Sequence, residues 1–376
     1  MSMWTAGIVS VGLALLAGWG VPALGMRALM PTLDRSCVKV RNYRGREVTV
    51  GLGVVWALWA VAVWTVTAVA NAMDSLPGLA VSEARFYPDA LREGAWLAPV
   101  LLVLATFALG LMDDVFGDPS AKGFRGHVAA LRHGRLTTGG VKMLGIGFAA
   151  LAACVEPALR RSFAMAESAP EASSQVLVVV AGWLLGAAVV ALSANLVNLT
   201  DLRPGRALKV YSLLACVAVA ATIPWALSLV AVTEELPVSM PPVAQALLTA
   251  LTIAILLLGP VFAVWRFDLG ERGMLGDAGA NAAGAVAGFV LAATLPVWGL
   301  AVAAAVLLAL NLASEKVSFS AVIERVGFLR WLDGLGRVRD PVDVAADSDA
   351  GGEDGTAGRH GTAASAETGG TDGEAR

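Results

Sequence analysis

Apolar residues stand in long unbroken runs in this chain, and this restricts the fold more than any other feature. A helix needs about 20 apolar residues to cross a hydrocarbon core. Runs of that order occupy 4–26, 49–70, 96–112, 140–156, 176–195, 208–231 and 244–265. The stretch 281–312 is about twice one span, and Pro296 at its middle divides it into 281–295 and 297–312. The first piece is short and rich in small residues, which suggests a tilted or re-entrant segment. The expectation is an all-α polytopic membrane protein of about nine transmembrane helices. A membrane β-barrel would instead show short alternating segments. Composition agrees: 57% of the residues are hydrophobic and 15% charged, against roughly 25% charged in a soluble domain.

Lysine and arginine set the orientation. One set of loops carries Arg35, Lys39, Arg41, Arg44 and Arg46, then Lys122, Arg125, Arg132 and Arg135, then Arg203, Arg206 and Lys209, then Arg266 and Arg272. The opposite set carries only Arg85, Arg92, Arg160 and Arg161. The first set is expected in the cytoplasm of a multi-pass cell-membrane protein, with the N-terminus outside and the C-terminus inside. Met1 to Thr5 bring no positive charge before the first run, so that run reads as a retained helix and not as a secretory signal. Cys37, Cys154 and Cys216 form no CxxC pair, so neither a disulfide framework nor a zinc site is expected.

Three domains are expected: a membrane domain over 1–312, an interfacial helix over 313–339 and an acidic tail over 340–376. In the second, Phe319, Val322, Ile323, Val326, Leu329, Leu332 and Leu335 recur at helical spacing, with Lys316, Arg325, Arg330 and Arg337 on the other side. The tail has almost nothing to bury and reads as disordered. Residues 341–376 carry a net charge of −6 against −3 for the whole chain, so the rest carries +3. That is no nucleic-acid signature.

Polar clusters at span ends are where chemistry is expected, because acids at a membrane boundary are costly. Asp113 and Asp114 end the third span, Asn195, Asn198 and Asp201 end the fifth, and Asp277 follows the seventh within Gly276-Asp-Ala-Gly279. All three fall on the cytoplasmic side by the charge rule. Asn195, Asn198 and Asp201 keep within about a 120° arc of one helix and can face one ligand, whereas adjacent Asp113 and Asp114 point about 100° apart and need different tasks. Hard carboxylate oxygens suit Mg²⁺, which takes one or two of them beside phosphates and water. Gly276 and Gly279 would let the backbone approach a phosphate at a helix start. Lys142 is equally a positive-inside anchor or a phosphate ligand. Gly284 and Gly288 read as a close helix contact, and the eleven tryptophans as interfacial belts or lipid-facing bulk.

From about Asp34 to Asn311 these strings resemble the polyprenyl-phosphate N-acetylhexosamine-1-phosphate transferases, which include the phospho-N-acetylmuramoyl-pentapeptide transferases and the WecA-type enzymes. The resemblance rests on Asp113-Asp114, Asn195-x-x-Asn198-x-x-Asp201 and Gly276-Asp277-x-Gly279, in order and at helix ends on one side. It implies an active-site groove facing the cytoplasm. A polyprenyl phosphate there attacks the β-phosphorus of a UDP-sugar, UMP leaves, and a lipid-linked precursor of cell-envelope glycan forms. It implies Mg²⁺ at Asp277, catalytic roles for Asp113 and Asp114, nucleotide or substrate binding by Asn195, Asn198 and Asp201, and a phosphate contact from Lys142. Members are often homodimers. The chain departs from the pattern at Leu202, Met274 and Ala280, and residues 313–339 contain no histidine where the family carries a histidine-rich loop. The alternative is a non-catalytic relative that binds a lipid phosphate or nucleotide sugar, or scaffolds an envelope complex. A transporter ranks below both, because transporter sites lie near the bilayer midplane.

Overall fold

The computed structural model describes residues 3–36, 38–74, 96–117, 123–166, 172–232 and 241–337. The expected acidic tail lies outside them. Helices α1 (Met3–Leu15) and α2 (Val21–Ser36) run on through a wide turn at Leu16–Gly20. A hairpin of β1 (Lys39–Arg41) and β2 (Glu47–Val50) follows. Then come α3 (Val54–Asp74), α4 (Leu97–Phe116), α5 (Gly123–Arg132), α6 (Thr138–Ala153), α7 (Val155–Ala166), α8 (Ala172–Thr200), α9 (Arg206–Val232) and α10 (Pro242–Leu269). The short strand β3 (Gly273–Met274) leads into α11 (Gly276–Thr294), α12 (Val297–Ser314), α13 (Phe319–Arg325) and α14 (Gly327–Gly334).

Seven helices are long and apolar enough to cross a membrane: Gly7–Arg35, Leu97–Phe116, Thr138–Arg160, Gln175–Thr200, Arg206–Ser228, Pro242–Leu269 and Val297–Ser314. Val54–Ala70 is a shorter apolar helix. Large apolar side chains such as Ile8, Phe148, Leu177, Leu213 and Trp298 point outward. Such a surface suits a helical membrane protein, in which lipid covers the outer face.

Helix α11 is not among the seven. Its many glycines and alanines, with Asp277 and Asn281, lower its hydropathy, and nearly all its residues are buried. The expected short segment is therefore a full helix at the centre of the bundle, packed on α8, α4 and α9. Small residues permit that position. A Cβ on Gly284 would strike the Ser193 carbonyl of α8, and one on Gly110 of α4 would meet the α11 backbone at Ala278 2.5 Å away. The helix-contact role expected of Gly284 and Gly288 holds, since both lie against α8.

The tryptophans divide. Trp19, Trp64, Trp298 and Trp331 are exposed, but Trp56, Trp59 and Trp96 are buried with Tyr211 in edge-on contacts at 5.0–6.2 Å. Trp59 Nε1 donates to the Leu256 carbonyl and the Tyr211 hydroxyl to the Leu257 carbonyl, which fastens this aromatic core to α10.

Two expected boundaries change. The run read as 49–70 starts as a strand, because Lys39–Val50 alternates and folds back on itself. Asn42 Oδ1 accepts from the Arg44 and Arg46 amides to make the turn. Strand β2 then pairs in parallel with β3, Thr49 opposite Gly273. The single amphipathic helix expected over 313–339 is instead two short helices broken at Val326, whose ψ of 109° is extended. Asp333 on the second helix turns inward and is buried, which one continuous apolar face would not allow.

Candidate functional site

The site is built around the start of α11. A helix begins with four backbone N–H groups that lack intrahelical partners, and Leu275 at the N-cap has no side chain to satisfy one. Carboxylates from two other elements do so. Gly276 N–H donates to Asp201 Oδ2 at 2.8 Å, Asp277 N–H to Asp114 Oδ1 at 2.9 Å, and Ala278 N–H to Asp114 Oδ2 at 3.0 Å. The positive end of the helix dipole favours these negative groups. The expectation that this backbone cradles a phosphate is thereby corrected. The Gly276 amide is engaged by Asp201, and Gly279 packs against Gly53.

Gly276 is required by its backbone. Its φ is +69°, and a Cβ there would stand 2.5 Å from Val50 Cγ1 and 2.8 Å from Asp114 Oδ2. Gly276→Ala should therefore cost about 1–2 kcal/mol in backbone conformation alone and push Asp114 off the helix start. A thermal melt in detergent is expected to show a clearly lowered midpoint; an unchanged midpoint would mean the turn relaxes freely.

Asp113 does a separate task, as the helical offset requires. Lys142 Nζ lies 2.7 Å from its Oδ2 and also binds Asp277 Oδ2. Three elements thus meet at one point: α4 through Asp113, α6 through Lys142 and α11 through Asp277. Lys142 sits in the second turn of α6, whose start Thr137 caps by accepting from the Gly140 amide. Among the described residues no three His, Cys, Asp or Glu side chains converge on one ion position. Asp113 and Asp277 are the pair that does converge, and a pair suffices for a cation that takes its other ligands from phosphate and water.

The fifth-span residues separate. Asp201 belongs to the centre: it is buried on the turn after α8 and bound to Gly276. Burial, and then the charge of Asp268, push its carboxyl well above the usual carboxylate range. Because the folded pKa is raised, Asp201 favours the fold least once pH exceeds that pKa. Asp201→Asn keeps an acceptor for Gly276 and removes the charge. Its thermal midpoint should gain on the wild type between pH 5 and pH 9; parallel profiles would contradict the assignment. Asn195 lies elsewhere. Its amide donates to Asn311 Oδ1 of α12 at 2.6 Å, and Asn311 in turn donates to the Leu192 and Leu307 carbonyls. Asn198 is half-buried and makes no side-chain hydrogen bond among the described residues. The expected three-residue stripe is thus not one surface in this structure.

Two features escaped the sequence. Asp268, buried at the end of α10, accepts from the Gly205 amide at 2.7 Å and ties the α8–α9 turn to the loop before α11. It carries the signal that singled out the others, an acid at the end of an apolar run. The second is a clamp between α9 and α14. Arg206 grips Asp333 at 3.0 and 2.9 Å, Arg337 adds 2.8 Å, and Lys209 donates to the Leu332 and Asp333 carbonyls. Burial raises the Asp333 pKa, but the Arg206 hydrogen bonds and the Arg337 charge outweigh it and hold the carboxyl below the usual value. A depressed carboxylate stabilises above its unfolded pKa and loses that contribution as pH falls through the folded one. Amides of α14 should therefore exchange faster, relative to the rest of the chain, in acid below the ordinary carboxylate range than at pH 7. Asp333→Asn should abolish that pH dependence, and equal relative protection at both pH values in the wild type would refute it.

Of the histidines, His133 is exposed and bonds locally to the Ala129 carbonyl, while the side chain of His127 lies outside the described residues. In comparisons with known proteins, no family profile and no curated protein matches the chain.

Proposed function

We propose that the protein transfers a sugar-1-phosphate, as N-acetylhexosamine-1-phosphate, from a UDP-sugar to a polyprenyl phosphate and releases UMP. The carrying observation is the meeting of Asp113, Lys142 and Asp277 at the ends of three helices. Phosphoryl transfer depends on positioning and charge neutralisation more than on covalent chemistry by the protein, and this centre supplies both. By the lysine and arginine distribution the end that carries it faces the cytoplasm, where UDP-sugars are made, and opens as a groove among about nine spans.

In this reading, Asp113 and Asp277 hold Mg²⁺ between two carboxylates. When bound, Mg²⁺ neutralises phosphate charge and polarises the phosphorus. Lys142 offers its ammonium to the same phosphates. Asp113 orients the attacking oxygen of the lipid phosphate and takes up any proton it still carries. That oxygen bonds to the β-phosphorus, the bond from the β-phosphorus to the UMP oxygen breaks, and UMP departs with the electron pair. Asp114 and Asp201 fix the start of α11, and so fix Asp277. Asn198, with its amide unpaired, is the fifth-span side chain available to a nucleotide.

The test is transfer of labelled sugar into lipid. Vesicles containing the protein, polyprenyl phosphate and Mg²⁺ receive a panel of radiolabelled UDP-N-acetylhexosamines. Label in the butanol-extractable lipid with one donor supports the proposal. Binding of donor or lipid without product would favour the non-catalytic relative.

A further inference from the structure

The ammonium of Lys142 occupies the one point at which Asp113 and Asp277 converge. Two carboxylates from different helices, half-buried, repel one another unless a cation stands between them. Here that cation is Lys142, bound to Asp113 Oδ2 at 2.7 Å and to Asp277 Oδ2. Its side chain is only 13% exposed. An ammonium has three N–H donors; two are used, and the third has no partner among the described residues. Asp114 cannot offer an alternative seat for a cation, because both its oxygens accept from the backbone of α11.

We infer that Lys142 is a place-holding cation: a divalent ion enters the centre by displacing its ammonium from Asp277. The inference rests on the proposed metal-dependent function and adds a regulatory property to the same site. The physical basis is exclusion. A divalent ion bound by these oxygens at about 2.0–2.1 Å and an ammonium at hydrogen-bond distance from them cannot share the position, and their charges repel. Metal binding therefore includes the cost of breaking the Lys142–Asp277 bond. The released ammonium carries two free donors and a full charge, which suits it to an incoming phosphate. The centre is then held closed and neutral without metal, and it binds metal tightly only when an anion takes the lysine.

The test uses Mn²⁺ as probe, its free concentration read by electron paramagnetic resonance during titration of the purified full chain in detergent. Lys142→Met should bind Mn²⁺ at least tenfold more tightly than the wild type. Lys142→Arg should stay close to the wild type, and Asp277→Asn should lose the site. A folded Lys142→Met protein that binds Mn²⁺ as the wild type does, or more weakly, overturns the inference and leaves the metal site standing. Mn²⁺ binding that is absent from both, or unaffected by Asp277→Asn, overturns the metal-dependent function itself. A second measurement needs no variant. Acetylation of Lys142 by a water-soluble amine reagent, followed by mass spectrometry, should quicken severalfold when Mn²⁺ is added to the wild type. Unchanged or slower labelling contradicts displacement.

Discussion

Replacing Arg206 by alanine should cost the protein about 3–5 kcal/mol, the usual effect of stranding one partner of a buried ion pair. The side chains of Arg206 and Asp333 are 3% and 9% exposed, and the guanidinium also donates to Ser320. Without it, Asp333 keeps Arg337 alone, and α13 and α14 lose their main attachment to α9. The expected result is a thermal midpoint lowered by many degrees and fast amide exchange over Gly327–Gly334. Arg206→Ala combined with Asp333→Ala should recover part of the loss, because no unpaired charge remains. A single variant that melts like the wild type would show that the pair contributes little.

Asp114→Ala is the second large effect. It leaves the N–H groups of Asp277 and Ala278 without acceptors, at about 1–3 kcal/mol for each buried donor. The start of α11, with Asp277 on it, then shifts relative to Asp113 and Lys142. A displacement near 1 Å can cost about a hundredfold in rate, so transfer should fall at least that far. The amides of Asp277 and Ala278 should lose exchange protection at the same time. Asp113→Asn should also reduce transfer but leave those amides protected. If Asp114→Ala abolished transfer with the amides still protected, Asp114 would act on substrate and not through the helix start.

The pairing of tasks at Asp113 and Asp114 was half legible. Adjacent positions on a helix must face different ways, and they do. That one of them caps another helix depends on which helix starts opposite, and no local pattern carries that information. Asp201 was found for the same reason as Asp277, as an acid at a span end, yet it binds the Gly276 backbone and lies next to Asp268. Asn195 followed the helical stripe but turned to Asn311, which is 116 residues away. The spans themselves were readable because the apolar runs are long. Helix α11 was the hardest, since close packing on Gly110 and Ser193 requires small residues, and small residues look weakly apolar. The β1–β2 hairpin was hidden by its charge: Lys39 to Arg46 counted as an orienting loop, while the alternation that makes it a ribbon went unused. The clamp at Asp333 was hidden by the amphipathic pattern around it.

The central claim is that Asp277 serves a metal-dependent transfer, and release of UMP tests it most directly. Purified protein in detergent with lipid, given Mg²⁺, polyprenyl phosphate and one UDP-N-acetylhexosamine at a time, should release UMP with a preferred donor. The release should require the lipid phosphate and stop on chelation. Loss of Lewis-acid stabilisation worth several kcal/mol corresponds to about a thousandfold, so folded Asp277→Asn should fall by that order. Undiminished release from folded Asp277→Asn, or no release from the wild type with any donor, would contradict the account.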